Sequence, residues 1–490
     1  MKKKLLLSLI LISCSKSLNN SYDPATSAYM RNYFFYGTFV KNIIFPPPAA
    51  PSNVTSSNGT NQLVFYSGLA TTDLSITATG AFLSYSISPE LPAGISLTSS
   101  TGNFSGTPTT ITSAKQYTAV ACNVSGCASG SLSIKVINAT ATRVYGQGGD
   151  FAVTTSNNGG RSANSLSSPH CVIVDPSGGV YISDTGNVRV LYYPSGSTTA
   201  TRVYGQSGSF TTSTSGTTST TFGFSGVGAL ALDSSGALYV ADGFNKRVLY
   251  FPPAVTTASQ VYAQSGSFTT SNSGTSASTV NAVSGIAVDS SGGLYLVDGG
   301  SFSNGNNRVL YFPVGSFNTA TRVYGQGGSF TSAVANKNGI SADSLSSPNG
   351  VALDPSGGLY ISDAGNNRVL YFSNPTSTTA TQVYGTSDFT SSNSQDTNKV
   401  TSLSGVLGVF GDSSGVYVAL SGRVIYFPQN LKKHILSYGQ DGLLNSFSGS
   451  SAGTTASLIS SSSSVLISVF VSTDGKVFIS DSIFNRVLMY

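Results

Sequence analysis

The sequence predicts an all-β protein in which a small sandwich precedes six repeated four-strand units closed into a ring. Three observations predict this. First, only 9% of residues are charged, Glu occurs once at Glu90, and Gly, Ser and Thr are abundant. That composition disfavours long helices and suits short strands joined by turns. Second, one pattern recurs six times between Thr142 and Tyr490. Its aligned aromatics are Tyr181, Tyr239, Tyr295, Tyr360, Tyr417 and Phe478, at intervals of 58, 56, 65, 57 and 61 residues. Third, the repeat is out of phase with its ends. A short element such as Thr321-Arg-Val-Tyr-Gly-Gln326 follows each earlier copy, but the chain stops just after the sixth Arg-Val-Leu-Met-Tyr490. The missing element stands in front, as Thr142-Arg-Val-Tyr-Gly-Gln147. Fixed-period repeats decide architecture before local readings do.

Residues 1–13 read as a secretory signal. Lys2, Lys3 and Lys4 precede the apolar run Leu5–Ile12, followed by small Ser13. The run is too short to span a bilayer. Leu11-Ile-Ser-Cys14 resembles the lipobox of bacterial lipoproteins, which implies cleavage before Cys14 and acylation of that residue. The resemblance implies a lipid-anchored protein of the bacterial envelope, at the outer membrane or cell surface. Acyl chains hold stably because each buried CH₂ contributes roughly 0.8 kcal/mol. Removing the three Lys lowers the formal charge of +5 to 5 − 3 = +2. Nine of the eleven Arg belong to the repeat, so no basic face is left for nucleic acid.

Residues 14–47 have no clear period, carry Tyr33-Phe-Phe-Tyr36 and run into Pro46-Pro-Pro48. They read as a spacer with a stiff stop. Residues 48–139 hold short alternating runs, such as Leu74–Ala78 and Leu132–Val136, between turn clusters. Such spacing predicts a small β-sandwich. Leu91-Pro-Ala-Gly-Ile-Ser-Leu followed by Thr101-Gly-Asn-Phe-Ser-Gly-Thr-Pro108 resembles the Ig-like domain of bacterial surface proteins, which implies a stalk or spacer. Cys122 and Cys127 flank a turn signal, Asn-Val-Ser-Gly. In an exported protein they are expected to close a disulfide across a hairpin, with free thiols as the alternative. Cys171 has no evident partner.

Residues 140–490 hold the repeat. Copy four supplies Gly350–Asp354, a Pro-Ser-Gly-Gly turn, Leu359–Ser362, an Asp-Ala-Gly-Asn-Asn loop, Arg368–Phe372 and finally Thr381–Tyr384. The turns suit hairpins. The third pieces are apolar at consecutive positions, as in Val309–Phe312, which predicts burial on both faces. Four-stranded units repeated radially make a β-propeller, here of six blades. A solenoid would need distinct capping ends, whereas these ends complement each other through 142–147. Val351-Ala-Leu-Asp-Pro-Ser-Gly-Gly-Leu-Tyr-Ile-Ser-Asp-Ala-Gly-Asn-Asn-Arg-Val369 resembles the NHL repeat. Propellers of that kind are mostly interaction platforms and in a minority enzymes, including a lyase and related lactonases.

Five copies carry an Asp after the second strand: Asp184, Asp242, Asp298, Asp363 and Asp481, with Leu420 in copy five. All six carry an Arg at the third strand: Arg189, Arg247, Arg308, Arg368, Arg423 and Arg486. An Asp ring suggests cation binding. Near-fixed spacing favours a structural pair instead, with Asp accepting loop N–H groups. Departures from the repeat carry more weight. His170 stands where copy four has Asn349, and both are candidates for a binding face at the central mouth. One His makes no zinc site, His434 is the only other, and the propeller contains no Glu. No metal set or cofactor is therefore implied, although Asp and Asn leave calcium open. The fourth-to-first-strand linkers, about twenty residues each, are long, nearly uncharged and marked by Phe151, Phe210, Phe268, Phe330 and Phe389. They form either a partner-binding surface or passive loops. The expected function is a non-catalytic binding face for protein or glycan partners. The alternatives are a lactonase- or lyase-type enzyme with a central metal, and a scaffold facing the periplasm.

Overall fold

A computed structural model describes residues 47–490 except 58–60, 72–73, 82, 139, 225, 300–304, 393–402, 404, 413–414, 421–422, 430–435, 439–467 and 473–474. The expected signal segment, Cys14, the spacer up to residue 46, His434 and the sixth linker at 439–450 lie outside the described residues. Described secondary structure is all strand and short 3₁₀ turn. The chain divides into two units, 1–138 and 139–490.

In the first unit, Gln62–Ser67, Gly126–Asn138, Thr112–Asn123 and Ser84–Ser88 form a four-stranded sheet in that order. Alternate residues such as Tyr117, Ala119 and Ala121 face Leu132, Ile134 and Val136 in one core with Phe65 and Phe104. Cys122 and Cys127 stand opposite each other in the long hairpin and are disulfide-bonded.

The second unit holds six four-stranded antiparallel sheets among the described residues. In the first sheet Pro169–Val174 pairs with Val180–Asp184, which pairs with Arg189–Tyr193, which pairs with Arg202–Tyr204. The same register recurs from Pro348↔Asp363 to Val369↔Tyr384. The first strands contact one another in sequence order, and Val469–Val471 of the last contacts Pro169–Val174 of the first. They therefore surround a central axis. Third strands are almost wholly buried, as their continuous apolar runs require. Sheets stack through a repeated aromatic contact. A fourth-strand Tyr meets a third-strand aromatic of the next sheet edge-on, as in Tyr204–Phe251 at 5.3 Å and Tyr324–Phe372 at 5.2 Å.

The sixth sheet takes its fourth strand from the far end of the unit. Arg143–Tyr145 pairs with Arg486–Met489 through Val487↔Tyr145, Leu488↔Val144 and Met489↔Arg143. Thr142 N donates to Met489 O at 2.7 Å. Gln147 Nε2 donates to Asn485 O at 2.6 Å, deep in the fold. Tyr145 then packs on Tyr193 of the first sheet, ring centroids 5.2 Å apart.

Candidate functional site

The repeated Asp and Arg residues are buried. Asp184, Asp242, Asp298, Asp363 and Asp481 each receive the Nε of the following Arg at 2.7–3.2 Å, with no side-chain exposure on either partner. Their partners extend beyond the loop expected from sequence. Asp184 Oδ1 accepts Ser167 N, from the linker leading into the first strand, at 2.7 Å. Its Oδ2 accepts Asn187 Nδ2 at 2.8 Å. Arg189 Nη2 donates to Ser162 O and Ser165 O, both at 3.0 Å. Arg189 Nη1 reaches Phe210 O in the next linker, and Arg486 Nη1 reaches Phe151 O at 2.9 Å. The pair thus fixes one linker and holds the next through its recurrent Phe. Burial pushes the Asp184, Asp298 and Asp363 carboxyls above their ordinary value, and the adjacent guanidinium opposes this. In copy five Leu420 stands across from Arg423, and burial lowers the Arg423 pKa. The hairpin acids close their own turns: Asp175 Oδ1 accepts Ser177 N, Ser177 Oγ and Gly179 N at 2.6–2.9 Å.

The six first strands line a central cavity of about 430 Å³. His170 and Asn349 both line it, three sheets apart, at the end from which the linkers emerge. Both are half-buried. The Nδ1 of His170 is buried with no hydrogen-bond partner, and burial pulls the ring's pKa from 6.5 down to about 4. Ser480 Oγ donates to the His170 carbonyl at 2.8 Å, not to the ring. Cys171, also lining the cavity, is a free buried thiol whose pKa burial raises. Among the described residues, no group of three or more His, Cys, Asp or Glu is placed to hold a metal ion.

Two residues escaped the sequence reading. Phe224 is 65% exposed and Phe244 61%. Phe244 sits in the second-to-third-strand loop, where copies one and four have Gly186 and Gly365. Phe224 lies in an insertion: four residues separate Phe222 from Val227, whereas two separate Leu166 from Pro169 and Leu345 from Pro348. The two features are built together. A Cβ on Gly223 would lie 2.7 Å from the Phe244 Cβ, and one on Gly226 would lie 2.9 Å from it. Gly223 therefore leaves room for the ring, whose Cδ1 would lie 2.9 Å from that Cβ, and Gly226 for the backbone and Cβ of residue 244. The inserted length and the Gly-to-Phe change were the sequence signal.

Residues 46–139 match the family described as "Putative Ig domain", and residues 345–372 match the NHL repeat. No curated protein matches the chain. Among solved structures, a streptogramin B lyase is 11% identical, covering 83% of this chain and 97% of its own, with a TM-score of 0.37. A virginiamycin B lyase from Staphylococcus aureus is 9% identical, covering 75% and 96%, with a TM-score of 0.32. A gluconolactonase from Xanthomonas campestris is 12% identical, covering 71% and 97%, with a TM-score of 0.40. The chain carries an Ig-like domain at 46–139 and, in the β-propeller that follows, an NHL repeat at 345–372.

Proposed function

We propose that this is an exported, lipid-anchored bacterial envelope protein whose propeller presents a non-catalytic binding face to protein or glycan partners. The observation that carries the reading is the Phe224–Phe244 element. Two large aromatics stand in solvent on the linker side of copy two, Phe244 at a position that is Gly in copies one and four and Phe224 in an insertion. Exposed aromatics with a prepared glycine seat match the anchors that dominate recognition surfaces. The surrounding linkers are rich in Ser, Thr and Asn, which supply hydrogen bonds without charge. The repeated charges are withdrawn into the fold, so binding rests on shape, aromatic contact and neutral polar groups. A lactonase- or lyase-type enzyme would need several polar groups converging on the axis. Besides Cys171 and three Ser, the cavity wall brings one imidazole, one amide and one carboxylate there, with Asp233 at the opposite end from His170 and Asn349.

The test is a screen of the full chain against matrix proteins, envelope proteins and a glycan array, repeated with Phe224→Ala/Phe244→Ala. A specific partner is expected to lose about tenfold or more in affinity with the double variant. Protease on intact cells is expected to release the propeller. A partner indifferent to both Phe residues, or a propeller protected in intact cells, contradicts the reading.

A further inference from the structure

We propose that the central cavity is a binding site for an uncharged, mainly apolar small molecule whose polar group sits at the linker end, at His170 and Asn349. This goes beyond the face-binding reading and stands on different residues. The cavity, about 430 Å³, falls within the range of roughly 300–1,000 Å³ typical of small-molecule sites.

Its wall is shaped by departures from the repeat. At one level of the first strands, facing the aligned second-strand aromatics, copies two, three and four place Ala231, Ala287 and Ala352. Copies five, six and one place Phe410, Phe470 and Ile173 at that same level. All six line the cavity. Half of the ring is therefore small and the other half bulky, with the Phe410 and Phe470 rings 4.9 Å apart. Six identical residues would give a round pore. This arrangement gives an offset slot with an aromatic wall facing an alanine wall, which suits a flat apolar body.

The polar side chains are few: His170, Ser284, Asn349 and Ser468 at the linker end, and Asp233 and Ser234 at the hairpin end. The two hydroxyls at the linker end are engaged with the wall, Ser284 Oγ donating to Pro348 O at 3.3 Å and Ser468 Oγ to Cys171 Sγ at 3.6 Å. The half-exposed His170 ring and the Asn349 amide are the groups left to orient a ligand, with His170 Nδ1 itself sealed in the wall without a partner. The ring is neutral near pH 7, so it offers a hydrogen bond and no counter-charge. At the hairpin end the one lining carboxylate, Asp233, is held by Ser235 N, Ser235 Oγ and Ala237 N at 2.6–3.0 Å. A fixed negative charge at one end and a neutral imidazole at the other exclude anions.

The experiment uses the full chain carrying Cys14→Ser, so that no acyl chain recruits the probe. The probes are N-phenylnaphthylamine, which is neutral, and anilinonaphthalenesulfonate, the same skeleton bearing a negative charge. The neutral dye is expected to brighten saturably at one dye per chain, and the sulfonate to bind about tenfold or more weakly. His170→Phe should weaken the neutral dye. Ala287→Phe, or the milder Ala352→Leu, should abolish the signal while keeping the wild-type thermal transition. Phe224→Ala/Phe244→Ala should leave it unchanged, which separates the cavity from the exposed face. The proposal is overturned by no saturable signal, by equal affinity for the two dyes, or by a signal that survives a folded filled-cavity variant.

Discussion

His170 shows how a single departure from a repeat becomes interpretable. The sequence located it, because Asn349 occupies its place in copy four. The sequence could not show that its Nδ1 would be buried without a partner, since that depends on neighbouring sheets. The pKa of the folded state, about 4, lies below the ordinary 6.5. Between those values the unfolded chain holds a proton that the folded chain excludes. Stability is therefore complete above about pH 6.5 and is lost as pH falls toward about 4. The full shift corresponds to about 3 kcal/mol, and the partial exposure of the ring reduces it to about 1–2 kcal/mol. His170→Asn removes the titrating group with the residue that copy four already tolerates. Denaturant unfolding at pH 7.5 and 4.5 should show the wild type losing about 1–2 kcal/mol more than the variant. Equal losses would mean that the fold does not hold this ring neutral. The Asp and Arg residues were legible for the opposite reason: what recurs at near-fixed spacing builds the scaffold. Their reach into the linkers was not legible, because Phe210 O and Ser162 O carry no side-chain signature.

At the scale of elements, turn chemistry made the strand order readable. Pro-Ser-Gly-Gly and Asp-Ala-Gly-Asn-Asn mark hairpins whose ends meet at Leu353↔Leu359 and Asp363↔Arg368. In the first unit, by contrast, Gln62–Ser67 pairs in parallel with the distant Gly126–Asn138. No local pattern encodes that partnership. The Arg143–Tyr145 strand is the element most open to test. Tyr145 is 1% exposed and contacts both Tyr193 of the first sheet and Phe478 of the sixth. Tyr145→Ala leaves a cavity where those sheets meet and should cost about 3–5 kcal/mol. At about 2 °C per kcal/mol for a unit of this size, calorimetry should record a fall of roughly 6–10 °C. Deleting 142–147 should lower it further, since the strand pairing and the Gln147–Asn485 bond go as well. An unchanged melting temperature would show that this strand is dispensable to the ring.

For the whole molecule, closure changes how damage spreads. In an open stack each unit contacts only its neighbours, so weakening one end is felt locally. Here the first strands meet in a complete circle, and every sheet is held from both sides. Opening the contact between the sixth and first sheets leaves two unpaired faces at once. The third sheet, with strands Leu294–Asp298 and Arg308–Phe312, lies across the ring from that seam. If the ring unfolds as one body, Tyr145→Ala should raise amide exchange in the third sheet as much as in the first and sixth. A loss of 3–5 kcal/mol corresponds to roughly a hundredfold to several thousandfold faster exchange for amides that open only by global unfolding. The Ig-like unit buries its own core around Phe65, Tyr117 and Leu132. Its long hairpin, Thr112–Asn123 with Gly126–Asn138, should therefore exchange at the wild-type rate and serve as the internal control. Exchange mass spectrometry on the full chain resolves these segments. A rise confined to the first and sixth sheets would mean that the sheets open singly, and that closure contributes contacts without making the ring a single cooperative unit.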